Sequence, residues 1–238
     1  MSTLNLLYQR QYRVNDDVSI VIPTVGDVID HEDEYYSLVS LLTAMPIDLC
    51  VQLDDAGVDF SEINEYDLFL LLFPGIKSQD TSMVFGDLDL SGFSIAQNKQ
   101  NDTLVLYNSE TDVVIDRAIH GHIANILRKI NHLEKDLRNP ANEEAKRFYI
   151  SRARKKQQRM KNRVADSQLE SLIIAMVNTE QYKYDFEGTR ELSIYQFNES
   201  VRQIIKKVDY DNKMYGVYTG NINAKELSQD ELNWLIHK

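Results

Sequence analysis

The stretch DVVIDRAIHGHIANILRKINHL, residues 112–133, decides how the chain is to be read, because the spacing of its apolar residues changes inside it. Up to Asp116 it is the last of three short apolar segments, FSIAQ (93–97), TLVLYN (103–108) and DVVIDR (112–117). The polar turns KQND and SETD separate them. Short runs that suit a pleated surface, joined by brief polar turns, are the pattern of an antiparallel meander. After Asp116, Ile119, Ile123, Ile126, Leu127, Ile130 and Leu133 recur three and four apart. That spacing lines one face of a helix, which must pack on something. The meander is the expected support.

Towards the N-terminus, LNLLYQRQYRV (4–14) and VSIVIPTV (18–25) read as strands. EDEYYSLVSLLTAMP (32–46) reads as a helix with Asp30 as its cap and Pro46 at its end. EINEYDLFLLLFPG (62–75) reads as a helix capped by Ser61 and closed by Pro74 and Gly75. It is apolar nearly all round from Leu68 to Phe73, so burial is expected. Towards the C-terminus, Asn139 and Pro140 open a helix that runs through EEAKRFYISRARKKQQRMKNR (143–163), with Glu143 and Glu144 in its first turn, where acids favour the helix dipole. A break is expected near 164–166. Ser167 and Glu170 form a capping-box pattern before SLIIAMV, and Ser228 with Glu231 does the same before ELNWLIH. Between them a long helix from about Glu191 carries the stripe Ile194, Phe197, Val201, Ile204, Ile205 and Val208.

The fold class is therefore α+β, with an acidic mixed part over 1–116 that contains the short antiparallel β-meander and a helical part over 117–238. With nine Gly and four Pro and no Gly, Ser or Pro-rich linker, the two parts are expected to share contacts, as one continuous domain would.

At 238 residues, 43% hydrophobic and 26% charged, the chain can bury a substantial core. The longest apolar run, LFLLLF at 68–73, is far short of the roughly 20 residues that cross a bilayer, and the N-terminus has no basic region followed by a long apolar stretch. No membrane is expected. Cys50 is the only cysteine, which leaves no intramolecular disulfide and no thiolate zinc site. The cytoplasm is the natural compartment. The net charge of -11 is unevenly placed: residues 1–116 carry a balance of -17 and residues 117–238 one of +6. Opposite signs on two halves mean that they face each other or face different partners.

The densest positive charge is the segment containing Lys146, Arg147, Arg152, Arg154, Lys155, Lys156, Arg159, Lys161 and Arg163, where Tyr149, Ala153, Met160 and Val164 form only a thin apolar stripe. Three readings stand beside one another: a phosphate-tracking helix, a helix against an acidic protein surface, whether its own N-terminal half or a partner's, and a solvated face. The acidic chain and the absence of a zinc-finger or helix-turn-helix signature favour protein contact among the functional readings.

Asp87, Asp89, Ser91 and Gly92 resemble the opening of a calcium loop, but Asn98 stands where a bidentate acid is required, so a turn rimmed by solvated acids is expected. His120 and His122, two apart on a helix, point to nearly opposite faces and do not share a metal; they read as helix-surface histidines. No Walker loop, GxGxxG, HExxH or GxSxG is present. No catalysis, cofactor or metal is expected. The tyrosine clusters QYKYDF and DYDNKMYGVY read as core and boundary packing.

The order AGVDFSEINEYDLFLLLF, TSMVFGDLDLSGF, VVIDRAIH, EEAKRFYISRARKK, SQLESLIIAMVNTEQYKYDFEGT, LSIYQFNESVRQIIKK and ELNWLIHK resembles a group of tail-assembly-chaperone-like proteins encoded by tailed bacteriophages and prophages of Gram-positive bacteria. The resemblance extends over most of the chain and carries a role without a catalytic residue. It implies a factor in phage tail morphogenesis that binds other tail proteins, the tape-measure protein among them, in the cytoplasm of the host cell. A long amphipathic client would otherwise expose an aggregation-prone stripe before the tail tube forms round it. Two alternatives use the same surfaces: a structural component of tail or baseplate that stays in the virion, and a nucleic-acid-binding phage regulator working through the basic helix.

Overall fold

A computed structural model describes residues 4–98, 102–160 and 167–235. The first half places α1 (Leu4–Tyr8) before a two-stranded antiparallel ribbon of β1 (Gln11–Arg13) and β2 (Ser19–Val21), in register Tyr12 opposite Ile20. Four helices come next: α2 (Val25–Asp30), α3 (Glu32–Thr43), α4 (Cys50–Asp55) and α5 (Glu65–Ile76). After the single turn α6 (Ser82–Phe85) comes a three-stranded antiparallel sheet, β3 (Ser94–Gln97), β4 (Leu104–Asn108) and β5 (Val113–Ile115), with β4 in the middle. The second half is helical: α7 (Arg117–Ile130), α8 (Glu143–Met160), α9 (Gln168–Val177), α10 (Phe186–Glu191) and α11 (Ile194–Tyr218).

The change of period at Asp116 is the observed junction. Asp116 is the N-cap of α7, its carboxylate accepting from the Ile119 backbone N–H at 2.8 Å, so the strand ends where its side chain starts the helix. Ile123, Ile126, Leu127 and Ile130 are buried. Their main support is α3, with β5, β2, α5 and α11 around it, so the meander is only the neighbour of α7's first turns. A three-strand sheet of short strands is too small to cover a 14-residue helix, and α3 supplies the longer apolar face.

The halves are stitched by backbone. Ile194 N–H donates to the Pro23 carbonyl at 2.9 Å and Val25 N–H to the Leu192 carbonyl at 2.8 Å, about a bridge between Thr24 and Ser193. Each of those residues also opens a helix with a full capping box, Thr24 with Asp27 and Ser193 with Gln196. The Gln196 side chain additionally donates to the Leu7 carbonyl at 2.7 Å. One large core results, reaching from Leu6 and Ile20 to Phe197 and Val201. A smaller cluster of Cys50, Val51, Leu53, Phe60 and Leu68 lies apart from it.

Several local expectations are corrected. Leu4–Tyr8 is helical, and the strand is confined to Gln11–Arg13. Asp30 lies inside α2, and His31 precedes α3 without a side-chain cap. Asn64, and not Ser61, caps α5, accepting from Tyr66 and Asp67. Pro74 lies within the last turn of α5, and Leu71 is half exposed. The sequence near Ser228 forms a turn in which Ser228 and Glu231 cap one another, not a helix through Leu235. The expected break at 164–166 lies outside the described residues.

α11 has two characters. Its first two turns bury Ile194, Tyr195, Phe197 and Val201, whereas Ile205 is 61% exposed and only Gly216 is buried beyond it. There the chain returns along the helix as a strap. Ile222 sits where a Cβ on Gly216 would meet it at 2.6 Å, and Lys206, Lys213 and Gln203 bond to Asp230, Glu231 and the Trp234 carbonyl. Tyr182 is buried, while Tyr215 and Tyr218 are exposed, so the tyrosine clusters are not uniformly core. Phe197→Ala is expected to cost about 3–5 kcal/mol in urea unfolding, because it empties a fully enclosed site, whereas Ile205→Ala stays within about 0.5 kcal/mol of wild type.

Candidate functional site

The basic segment folds as α8 for local reasons. Asn142 accepts from the Ala145 backbone N–H at 2.8 Å, Glu143 and Glu144 occupy the first turn, and Asn139 and Pro140 lie in the preceding loop. None of its 18 residues is buried, yet it has an inside. Tyr149, Ile150 and Ala153 rest on the small cluster around Cys50, Val51, Leu53, Phe60 and Leu68. Lys146 binds Asp59 and Glu143, and Arg154 binds Asp54 at 2.7 Å and Asp55 beside it. The Lys146 ammonium, with Ser61, holds the Asp59 carboxyl down at about 2. One face of the positive helix is thus docked on the acidic half of its own chain.

The opposite face is different. Phe148, Arg152, Lys155 and Arg159 stand at i, i+4, i+7 and i+11, half a turn round from Tyr149, Ile150 and Ala153. All four are exposed, Phe148 at 61%, and the three cations make no ion pair among the described residues. Arg147 and Lys156 flank the row and are likewise exposed, while Lys161 and Arg163 lie outside the described residues. Of the nine basic residues singled out in the sequence, two serve the chain itself and five are presented to solvent.

Beside α8's base lies a cavity of about 410 Å³ between Pro46, Phe60, Glu65, His120, Lys135 and Leu137. Its charges are satisfied within the fold. Burial alone would raise the Glu65 carboxyl, but bonds from Lys135 and Arg128 outweigh it and hold the group below the usual carboxylate range. Arg128 reaches Glu65 and the Thr43 carbonyl, each at 2.6 Å. His120 is a core residue, not a surface one: its ring stacks on Phe69 at 4.0 Å, and Nε2 has no hydrogen-bond partner among the described residues. Burial pushes this imidazole down to about 4, so it is neutral near pH 7. His122 faces elsewhere, its Nε2 lying 3.3 Å from the Tyr12 hydroxyl.

Among the described residues, no group of three or more His, Cys, Asp or Glu is arranged to hold a metal. The calcium-like stretch is a 3-10 turn at Leu90–Gly92 in which Asp89 accepts from Ser91, with β3 directly after it. Among the same residues no helix is long and apolar enough to cross a membrane.

Two further grooves lie on the surface. One, of about 530 Å³, runs between α1 and α11, with Leu7, Tyr8, Tyr184 and Ile204 along it. The other, of about 910 Å³, lies between the acidic first turn of α3 and the start of α9. Its lining includes the apolar side chains of Ile29, Tyr36, Leu133 and Leu172 and the exposed acids Asp33 and Glu34, which make no ion pair among the described residues. Neither groove has a signal in the sequence, because each joins segments more than a hundred residues apart.

Residues 155–237 match the family model described as the YomV second domain, a phage-associated domain family. The match covers about a third of the chain, from the end of α8 through α11 and its strap. No curated protein and no solved structure matches the chain.

The buried histidine gives stability a pH dependence. Unfolded, it titrates near 6.5; folded, near 4, so the unfolded chain binds the proton first as pH falls. Its contribution is complete above about pH 6.5 and lost on acidification towards about pH 4, to a total of about 3 kcal/mol. Urea midpoints of wild type and His120→Phe, compared at about pH 7 and about pH 4, are expected to show the wild type losing that much more than the variant.

Proposed function

We propose that this chain is a phage tail-morphogenesis factor that acts by binding other proteins, with the tape-measure protein as its client. The observation that supports this reading is the two-faced construction of α8. A helix anchored on one side by Tyr149, Ile150, Lys146 and Arg154 holds Phe148, Arg152, Lys155 and Arg159 outward on a fixed frame. Side chains already positioned lose less entropy on binding, and an aromatic anchor rimmed by cations gives an interface both area and selectivity. The phage-associated family match at 155–237 agrees with the setting.

The second half adds apolar surface. Tyr8, Tyr184, Ile205 and Trp234 are exposed on or beside α11 and its strap, and an amphipathic client helix would lay its stripe into the groove between α1 and α11. The charge balance of -17 on the N-terminal half keeps such a complex soluble. A virion component would use the same surfaces. The regulator reading draws on the same row of cations, since such a row also tracks phosphates, but the acidic half opposes a nucleic-acid backbone.

The test is affinity capture with the tagged chain from phage-producing cells, with and without nuclease, and proteins identified by mass. A tape-measure or other tail protein is expected, insensitive to nuclease and lost from the variant Phe148→Ala, Arg152→Glu, Lys155→Glu, Arg159→Glu. Recovery of nucleic acid alone, released by moderate salt, would replace this reading with the regulator. Recovery of the chain in purified particles would make it a virion component.

A further inference from the structure

We infer that the chain also binds a second copy of itself head to tail, the outer face of α8 on one copy seating in the groove between α3 and α9 on the other. The inference rests on the reading of α8's outer face as a binding surface and names one occupant for it.

Charge sets the first condition. Two copies at net -11 repel one another unless the contact joins patches of opposite sign. The molecule has such a pair: Arg152, Lys155 and Arg159 on α8, and Asp33 and Glu34 lining the groove. Both sets are exposed, and neither is engaged in an ion pair among the described residues. The neighbouring acid Asp30 is already taken by Arg190 at 2.8 Å.

Shape and polarity set the second. The outer stripe runs 11 residues from Phe148 to Arg159, about 17 Å along the helix. It begins with an aromatic ring and continues as cations. The groove offers the complementary groups, the apolar side chains of Ile29, Tyr36, Leu133 and Leu172 together with the exposed acids Asp33 and Glu34. Leu133 is 43% exposed there and is available to cover an entering ring. The fold already uses this combination once, where α8's inner face sets Tyr149 and Ile150 on an apolar cluster and Lys146 and Arg154 on Asp59, Asp54 and Asp55. The outer face repeats that chemistry towards another molecule.

Because the two patches differ, the contact is heterologous, and a pair keeps a free groove on one copy and a free face on the other. Association therefore continues beyond a pair into a ring or a row, and it weakens with salt.

Sedimentation velocity of the full chain at rising concentration is the test, with urea unfolding of every variant to confirm the fold. Wild type is expected to shift to larger species at low salt and return to monomer at high salt. A face variant (Phe148→Ala, Arg152→Glu, Lys155→Glu, Arg159→Glu) and a groove variant (Asp33→Lys, Glu34→Lys) are each expected to stay monomeric. Mixed in equal amounts they leave one intact face and one intact groove, and so form a dimer and nothing larger. Wild type that stays monomeric at low salt overturns the inference, as does a mixture that yields no dimer. Capture of tail proteins is read separately: its loss in the face variant while wild type is monomeric sinks self-association and leaves the client reading standing.

Discussion

Arg128 carries a guanidinium into the interior of the molecule, and much of the arrangement depends on how it is met there. Its side chain is 6% exposed and bonds at 2.6 Å to both Glu65 on α5 and the last carbonyl of α3, at Thr43. Lys135 takes the other Glu65 oxygen. Removing such charges from water costs several kcal/mol per ion, so only a geometry that pairs all of them is tolerated. That condition fixes α7 lengthwise against α3 and α5, where apolar packing alone would permit sliding by a turn.

The anchoring of α5 positions a second cluster and, through it, α8. With α5 held, Leu68 faces Cys50, Val51, Leu53 and Phe60, and this small cluster forms a seat. α8 has no buried residue of its own, so without this seat and the acids Asp54, Asp55 and Asp59 it would have nothing to hold it. The interior ion network and the outward stripe of α8 are thus linked through one helix and one cluster. His120 belongs to the same region: stacked on Phe69 and screened from water, it stays neutral beside the charged Glu65 network without joining it.

The opposite end of the molecule is organised by backbone bonds. Pro23 and Leu192 carbonyls, the Thr24–Ser193 bridge and the two capping boxes tie the start of α2 to the start of α11. This leaves the first turns of α11 as core, with Ile204 packed against it, and the later turns as a projecting helix lined by the strap. The phage-associated match begins near the end of α8 and includes this projection, so the matched region takes its first support from the acidic N-terminal half.

The sequence by itself determined the elements whose signals are local: the meander, the switch to helix at Asp116, the start of α9 at Ser167, a long helix from about Glu191, and the density of charge on α8. Period and capping depend on neighbours within a turn or a strand, so one stretch of chain is enough to read them. Only the tertiary structure decided which faces these elements use. Whether Arg154 is paired and Lys155 exposed, whether His120 is core or surface, and whether Leu133 lines a groove depend on residues far away along the chain. The sequence records no distance between them. In the basic segment the sequence marks only the thin stripe of Tyr149, Ala153, Met160 and Val164; the seat formed by Cys50, Phe60 and Leu68 is what turns Tyr149 and Ala153 inward and leaves Phe148, Arg152, Lys155 and Arg159 to the solvent.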